Sequence, residues 1–520
     1  MKSSNGSSKL TTVDYHHPKE QNGSKPSQLS LMMVSIVLTY LSHLRGGSAL
    51  LAWVYPVPFL LMALQYKQQK ISLAMTLCTA WTLVFSKIVT HPMPFVMALI
   101  YGVLVGLVFF GGFLLWEYTC CGGDAKNNHT NSSSWRKEVG FACAMVFAEW
   151  VQYQWTPLGS WGAATYTQYA NLPLLQCVSL VGMAGPAFLI YWFSAIVAFS
   201  IHEGKALLIM STSSDVAFKN KNSNRPMIVW GGLVVTLCIW GSYRLDDASY
   251  KTTVTVAGVG TDATFGGVPL PTQDEIEHIN INLFARSETA AKAGANLISW
   301  TEGATLALPE DEESLHAKGV AFASKHSVEL VMAYIVPVEL EPLQYENKAV
   351  WIRPDGIIDH KYLKAEPVPS EPAVRGDGIV KVVQTQFGLA AAAICYDYDF
   401  PYIGRKHAKE NIAIAVVPSS DWLGIDPTHT QMAAIRAIEG GYALLRTTRM
   451  GLSAGINRNG QMLAQLSANQ SSKRIMMVDL PLKEESMMTV YTMIGDSFVY
   501  LCLIFLIASK MMMSVRIKIE

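Results

Sequence analysis

The run Ala391-Ala392-Ala393-Ile394-Cys395-Tyr396-Asp397-Tyr398-Asp399-Phe400-Pro401 joins an apolar, strand-like segment to a cysteine, with polar residues and a proline close behind. A rigid strand ending in a turn holds a thiol still and leaves it open to attack a carbonyl. The other cysteines, Cys78, Cys120, Cys121, Cys143, Cys177, Cys238 and Cys502, lie in or between apolar segments. None shares the polar region from Tyr250 to Lys483 with Cys395, which excludes a disulfide framework there and argues against a Cys-rich metal site. A thiol that attacks a carbonyl needs a base for its proton, and a cation or N–H donors for the oxyanion. Glu302 follows the apolar run Leu297-Ile298-Ser299-Trp300, at the tip of another strand-like segment. Lys364 ends the segment from Gly356 and precedes a loop stiffened by Pro367, Pro369 and Pro372. Each residue also has a plainer reading. A free cysteine is commonly a small buried hydrophobe, and a Glu or Lys at an element end is commonly a solvated charge.

The elements that must hold these residues divide the chain in two. Of its 520 residues half are apolar and only 15% are charged, against about 25% in a soluble domain. The charge deficit is concentrated in the first 245 residues and the last 30, so a membrane protein carrying one soluble domain is expected. A formal net charge of zero argues against a polyanionic partner such as nucleic acid. Apolar windows of spanning length, about 17 to 25 residues, begin near Leu29, Ser48, Ile71, Met93, Glu138, Leu172 and Pro226. One more runs from Val490 to Ser509. The expected organisation is a disordered polar tail (1–28), a membrane domain of about seven helices (29–245), a soluble domain (250–483), a last transmembrane helix (490–509) and a short tail (510–520). No cleavable signal peptide is read at the start, so the first apolar segment is expected to act as an uncleaved anchor. Gly102, Gly106, Gly111 and Gly112 in the fourth window suit close helix packing in lipid.

Lysine and arginine are asymmetric between alternate loops. One set holds Lys67, Lys70, Lys126, Arg136, Lys137, Lys205, Lys219, Lys221 and Arg225 together with both tails, and the other holds little beyond Arg45. The positive-inside rule then places both termini in the cytoplasm and the soluble domain outside. The sequons at Asn128 and Asn131 fall on an inner loop and read as chance matches. Cys120 and Cys121, at the same boundary, read as an unmodified pair rather than a palmitoylation site. The outer loop Trp155 to Trp161, with Tyr166, Gln168 and Tyr169, has no basic residue. It reads equally as an interfacial aromatic belt or as a platform under the soluble domain.

From Lys251 onward strand and helix signals alternate. Thr252 to Val259, Asn296 to Thr301, Val328 to Val336, Ala349 to Arg353, Ile379 to Gln384, Gly388 to Cys395, Ile412 to Val417, Tyr442 to Thr448 and Leu452 to Asn457 read as strands. Asp274 to Ala293, Glu312 to Lys325, Ile403 to Glu410 and His429 to Glu439 read as helices. That pattern predicts one layered α/β domain.

Glu302, Lys364 and Cys395 stand in the order and contexts of the Glu-Lys-Cys triad of the nitrilase superfamily. The motifs around them resemble its membrane-embedded branch, the apolipoprotein N-acyltransferases. They are Ser299-Trp300-Thr301-Glu302, the Tyr362-Leu363-Lys364 approach, Ile394-Cys395-Tyr396-Asp397 with Phe400-Pro401, Ser420-Asp421-Trp422-Leu423-Gly424, His429, Arg436-Ala437-Ile438-Glu439, Leu444 to Thr448 and Asn457-Arg458-Asn459-Gly460. Glu149-Trp150 and Pro157 through Gln168 add to the likeness in the membrane half. Four positions depart from the family pattern: Thr301 for Pro, Asp397 for Glu, Pro369-Ser370-Glu371 for a Phe-Gly-Glu one residue away, and Gln152 for Arg. The resemblance implies a multi-pass α-helical membrane domain plus an α/β nitrilase-like αββα sandwich. It implies Cys395 as nucleophile, Glu302 as base and Lys364 on the oxyanion. Glu371 (with Glu366 as its alternative), Tyr396 and Asp397 are supporting or oxyanion residues, and Trp422 is a substrate-binding wall. A phospholipid acyl donor, a lipoprotein or lipopeptide acceptor and residence in the plasma (inner) membrane follow from it, with no metal or organic cofactor required. A membrane-tethered carbon-nitrogen hydrolase with the same triad, and a non-catalytic scaffold of the same fold, are the alternatives. His429 is read as a helix-start residue near the site rather than as a catalytic imidazole.

Overall fold

The computed structural model describes residues 26–121, 134–204, 225–246, 252–263, 269–482 and 488–519. Most of the polar tail and the sequons at Asn128 and Asn131 lie outside the described residues. Gln28, expected in the tail, already begins a helix, because the Ser27 side chain accepts from Ser30 N and caps it.

In the membrane half, α1 (Gln28–Ser42), α2 (Pro56–Gln65), α3 (Lys70–Ser86), α4 (Val96–Trp116) and α5 (Ser134–Trp155) follow in order. The close packing expected of the α4 glycines is present at Gly102, Gly106 and Gly112 but not at Gly111, where a Cβ would meet nothing within 4 Å among the described residues. A Cβ on Gly102 would stand 2.3 Å from Thr82 Cα, and one on Gly106 would stand 2.6 Å from Cys78 Cα, so α3 and α4 meet backbone to backbone. The span expected from Leu172 is broken. That run forms two single turns, α6 (Leu172–Leu175) and α7 (Val178–Val181), and a full-length helix follows as α8 (Ala184–His202), then α9 (Arg225–Leu245). Gly182 makes the break at φ 66, where a Cβ would meet the Tyr491 ring at 2.5 Å. Apolar composition alone does not distinguish such a buried, broken piece from a span. Among the described helices, Val96–Cys121, Ala184–His202, Arg225–Leu245 and Ser497–Val515 are long and apolar enough to cross a membrane.

The soluble half is two sheets face to face. The first holds β1 (Thr252–Val259), β2 (Leu297–Trp300), β3 (Thr305–Leu306), β4 (Glu329–Leu340), β5 (Leu343–Ile352) and β6 (Ile358–Leu363), with α10 (Gln273–Lys292) and α11 (Glu312–His326) interleaved in sequence. The second holds β7 (Val383–Thr385), β8 (Gly388–Ala392), β9 (Ile414–Ser420), β10 (Ala443–Arg449), β11 (Leu452–Ile456) and β12 (Met462–Ser467), with α12 (Pro401–Lys409) and α13 (Thr428–Gly440). Finally β13 (Ile475–Leu482) returns to the first sheet antiparallel to β1, giving orders β13-β1-β2-β4-β5-β6 and β12-β11-β10-β9-β8-β7. The alternation of side chains explains the layering. On the first sheet Leu297, Val331, Ala349 and Trp351 join the inter-sheet core, while Ile298, Leu330, Met332, Val350 and Ile352 pack outward with Leu283, Leu315 and Phe322 of α10 and α11. The result is the expected αββα sandwich on a helical membrane half.

Four strands lie beyond the sequence reading: the two-residue β3, β6 within the approach to Lys364, and β12 and β13 after Asn457. In β13 the buried residues Met476, Val478, Leu480 and Leu482 alternate, but polar Asp479, which accepts from Thr255 Oγ1 at 2.7 Å, interrupts the apolar signal. The chain then forms α14 (Val490–Ile494), breaks at Gly495 with φ 56, and runs on as α15 (Ser497–Ile519). The last span therefore starts later than Val490.

Candidate active site

The C-terminal end of β9 is where the site assembles. Ser419 O accepts from Glu302 N at 3.3 Å, tying the turn after β2 to the second sheet. Ser420 O accepts from the Cys395 thiol at 3.6 Å. The strand expected to reach Cys395 stops at Ala392, and Cys395 opens a tight 3-10 turn, Cys395–Asp399, at φ 47. A non-glycine residue in the left-handed region is costly, so the surrounding structure must impose it. Asp397 does much of that. Its carboxylate accepts from Ile394 N (2.8 Å), Ala365 N (3.1 Å), Glu366 N (2.7 Å) and Tyr362 Oη (2.8 Å). It thereby clamps the nucleophile turn to the loop that follows Lys364. Burial pushes its carboxyl up to about 7, against the pull of those donors.

Lys364, at the end of β6, donates from Nζ to Glu302 Oε1 at 2.9 Å and to Glu371 Oε2 at 2.7 Å. Glu371, rather than Glu366, is thus the second carboxylate on the ammonium. Glu366 turns away to Arg375 and to Tyr402 Oη, the latter at 2.6 Å. Asn347 on β5 was not anticipated. Its Nδ2 bridges Glu302 Oε1 (2.8 Å) and Glu371 Oε1 (3.2 Å) and so spaces the two carboxylates. The signal that could have found it is a buried asparagine between two charged residues, Glu346 and Lys348, on the run into the apolar stretch Ala349 to Ile352. Burial would lower the Lys364 pKa, but the two carboxylates raise it well above its ordinary value. Burial favours a neutral Glu371, yet Lys364 holds it below the usual carboxylate range. Burial, and then the Glu302 charge, push the Cys395 thiol well up. The resting thiol is therefore protonated and needs a base at the moment of attack.

Glu302, Lys364, Glu371 and Cys395 all line one cavity of about 1260 Å³, above the roughly 300–1,000 Å³ usual for a small-molecule pocket. Its walls include Trp422 and, from the loop between α3 and α4, Pro92, Met93 and Pro94. The site thus opens on a wall supplied by the membrane half.

Behind Cys395 lies a second cluster. His429 contacts Asp399 Oδ1 through Nε2 at 2.9 Å and Asp421 Oδ1 through Nδ1 at 2.7 Å. Arg446 forks onto Asp421 at 3.0 and 2.9 Å. Burial alone would lower the His429 pKa, but Asp399 and Asp421 push it up to about 9, so the ring is charged and both N–H groups are engaged. It cannot serve as a base for the thiol. The Cys395 sulfur, an Asp421 oxygen and a His429 nitrogen lie within 4.8 Å of one another. As metal donors they fit poorly, because the Asp421 oxygens and the imidazole are already engaged by Arg446 and by each other.

Residues 35–196 match the family model of the apolipoprotein N-acyltransferase N-terminal domain, and residues 272–486 match that of carbon-nitrogen hydrolases. The chain is an apolipoprotein N-acyltransferase-like protein of the nitrilase superfamily. It is accordingly a membrane protein and an acyltransferase-type enzyme. It is 24% identical over 430 residues to apolipoprotein N-acyltransferase 1 of Treponema denticola, covering 69% of this chain and 74% of that one. Against the apolipoprotein N-acyltransferase of Borreliella burgdorferi it is 32% identical over 136 residues, a quarter of each chain (25% and 25%). Among solved structures, an amidase from Nesterenkonia sp. overlaps 48% of this chain and 95% of its own, at 19% identity and a TM-score of 0.38.

The aromatic loop from Trp155 to Tyr169 packs under the soluble half. Ser160 N and Oγ donate to Asp399 O at 3.0 and 2.5 Å, Trp161 Nε1 donates to Asp399 Oδ2 at 2.8 Å, and Tyr396 Oη donates to Pro157 O at 2.8 Å. A Cβ on Gly159 would meet Asp399 O at 2.9 Å, so the loop needs glycine there. Gln152, where the family has Arg, donates to Gly159 O and Trp161 O at 3.2 and 2.7 Å and holds the loop from below. Trp155 takes no part in these contacts and is 70% exposed. Trp422 has a structural bond besides its place in the cavity wall: its Nε1 donates to Ile88 O at 2.6 Å.

Proposed function

We propose that this protein N-acylates lipoproteins, moving an acyl chain from a membrane phospholipid to the α-amine of an N-terminal diacylglyceryl cysteine. One observation carries the reading: Glu302, Lys364 and the Cys395 thiol face a single cavity whose wall includes Pro92, Met93 and Pro94 of the membrane half. In the first step Glu302 takes the thiol proton as sulfur attacks the ester carbonyl. Lys364 and the backbone N–H of Tyr396 stabilise the oxyanion, and Glu371 helps keep Lys364 charged. The S–C bond forms, the ester C–O bond breaks, and the leaving lysophospholipid oxygen takes the proton back from Glu302. In the second step the acceptor amine attacks the thioester, its N–C bond forms as S–C breaks, and the proton it loses returns to the thiolate by way of Glu302. Asp397 fixes the turn that sets this geometry, and Trp422 walls the substrate space. The loop-charge bias supports an extracytoplasmic catalytic half with both termini inside.

The test is incubation of the purified protein with acyl-labelled phospholipid, with and without a diacylated lipopeptide. The expected result is hydroxylamine-sensitive label on the protein that passes to the peptide amine. In Cys395→Ala the label falls by about 10⁴-fold or more. A Cys395→Ala protein that still labels would sink the reading, and label leaving only as free fatty acid would make the protein a hydrolase.

A further inference from the structure

Arg449 ends β10 directly across from Ser420, the last residue of β9, and both line the catalytic cavity. Its Nε and one terminal nitrogen donate to Ser420 Oγ at 3.2 and 3.1 Å, and the other terminal nitrogen donates to Ala263 O at 3.2 Å. A guanidinium has five N–H donors in a rigid fork. Three are engaged here, all on neutral oxygens, and one remains on each terminal nitrogen. Among the described residues no carboxylate pairs with Arg449. The other permanent cation in the cavity lining, Lys364, is held by two carboxylates. The Glu302 charge acts on Arg449 only from a distance, without a bond, and a half-buried cation with no bonded anion is unfavourable until something supplies one. Burial indeed shifts Arg449 down from its ordinary pKa.

The position of the fork says what that anion is. Ser420 presents its carbonyl oxygen to the Cys395 thiol and its hydroxyl oxygen to Arg449, so nucleophile and guanidinium flank one residue. A ligand that meets both needs an electrophilic carbonyl and, a few bonds away, an anion with several acceptor oxygens. A glycerophospholipid has that form, with the ester and the phosphodiester on one glycerol unit, and phosphate oxygens suit the guanidinium fork. The apolar wall of Met93, Leu306, Ile335 and Leu343 is available to the acyl chains. Resting on the acyl-transfer reading above, we propose that Arg449 receives the donor lipid's phosphate and thereby selects phosphate-bearing lipids over neutral acyl donors.

The experiment measures acyl-enzyme formation on the full chain in detergent micelles from two donors with the same acyl chains, phosphatidylethanolamine and diacylglycerol. The wild type is expected to favour the phospholipid. In Arg449→Gln that preference should fall by about 10- to 100-fold, the loss lying in KM, as expected for one charge-assisted contact. Arg449→Lys, which keeps the charge but loses the fork, should fall in between. A preference unchanged in Arg449→Gln, or both donors slowed equally, overturns the proposal. Millimolar inorganic phosphate should leave the wild-type preference intact. If it abolishes that preference, Arg449 serves a free anion and the donor role is wrong. A wild type labelled by neither donor defeats the acyl-transfer reading itself, and this assignment with it. Labelling by phospholipid without any dependence on Arg449 defeats this assignment alone.

Discussion

On one side of Cys395, Lys364, Glu302, Glu371 and Asn347 line a cavity of about 1260 Å³; on the other, Asp399, His429, Asp421 and Arg446 are wholly enclosed. Both clusters pair buried cations with carboxylates at 2.7 to 3.0 Å. They differ in what is left over. In the enclosed cluster Arg446 also donates to Thr430 Oγ1 and Thr448 Oγ1 at 2.6 and 2.9 Å, and the imidazole has both N–H groups engaged. In the open cluster the thiol is still protonated and Asn347 Oδ1 has no partner among the described residues. The same chemistry therefore does two jobs. The enclosed set holds the nucleophile turn and the membrane-side loop in place, and the open set keeps capacity for a substrate.

The largest expected effect on this contrast comes from breaking the enclosed side. Asp421→Ala leaves Arg446 and His429 buried without their shared anion, which should cost about 3–5 kcal/mol. Thermal unfolding of the detergent-solubilised protein should show a large drop in midpoint. A stable Asp421→Ala protein with only reduced turnover would place Asp421 in the chemistry instead.

Glu371→Gln tests the open side at smaller scale. It removes one of the two charges on Lys364 and keeps the shape and one of the two acceptor oxygens, so the fold should hold while acyl-enzyme formation slows by about 10- to 100-fold. With one carboxylate gone the Lys364 pKa falls, so the alkaline limb of the pH–rate profile should move to lower pH. An unmoved profile would deny Glu371 its part in charging Lys364.

The smallest effect separates the two sides by pH. The folded His429 pKa is raised to about 9 from an ordinary 6.5. The stability it contributes is fully present below about pH 6.5 and is lost as pH rises through 9, on the order of 1–2 kcal/mol between pH 7 and 9. Unfolding midpoints across that range should decline in the wild type, and the decline should flatten in His429→Asn. An equal slope in both proteins would show that His429 is not held charged.

Much of this was legible from residue order alone, for different reasons in each half. Strand alternation and helix capping are local, so β1, α10 (capped by Thr272 and Glu275) and α13 could be read within a few residues of their ends. The terminal strand β13 is not legible locally because pairing with β1, more than two hundred residues earlier (Ile475 with Val259, Leu482 with Thr252), is what makes it a strand, and β12, a half-exposed edge strand on β11, carries too weak an apolar signal. Membrane spans were read from apolar run length, which does not register the break at Gly182 or the one at Gly495, where neighbouring side chains crowd the backbone.

For the site itself, residue types and their order are plain in the sequence: a lone cysteine after an apolar run, an acid after another, and a lysine ahead of prolines. Only the tertiary structure decided which residues meet. Glu371 rather than Glu366 reaches Lys364 because the chain turns at Ser370, with φ 78. Asn347 bridges the two carboxylates from a strand that sequence spacing does not connect to either. His429 is excluded as a base by Asp399 and Asp421, thirty and eight residues away, each within 2.9 Å. Local sequence records what each side chain can do. Which of those capacities remains free depends on partners that only long-range packing delivers.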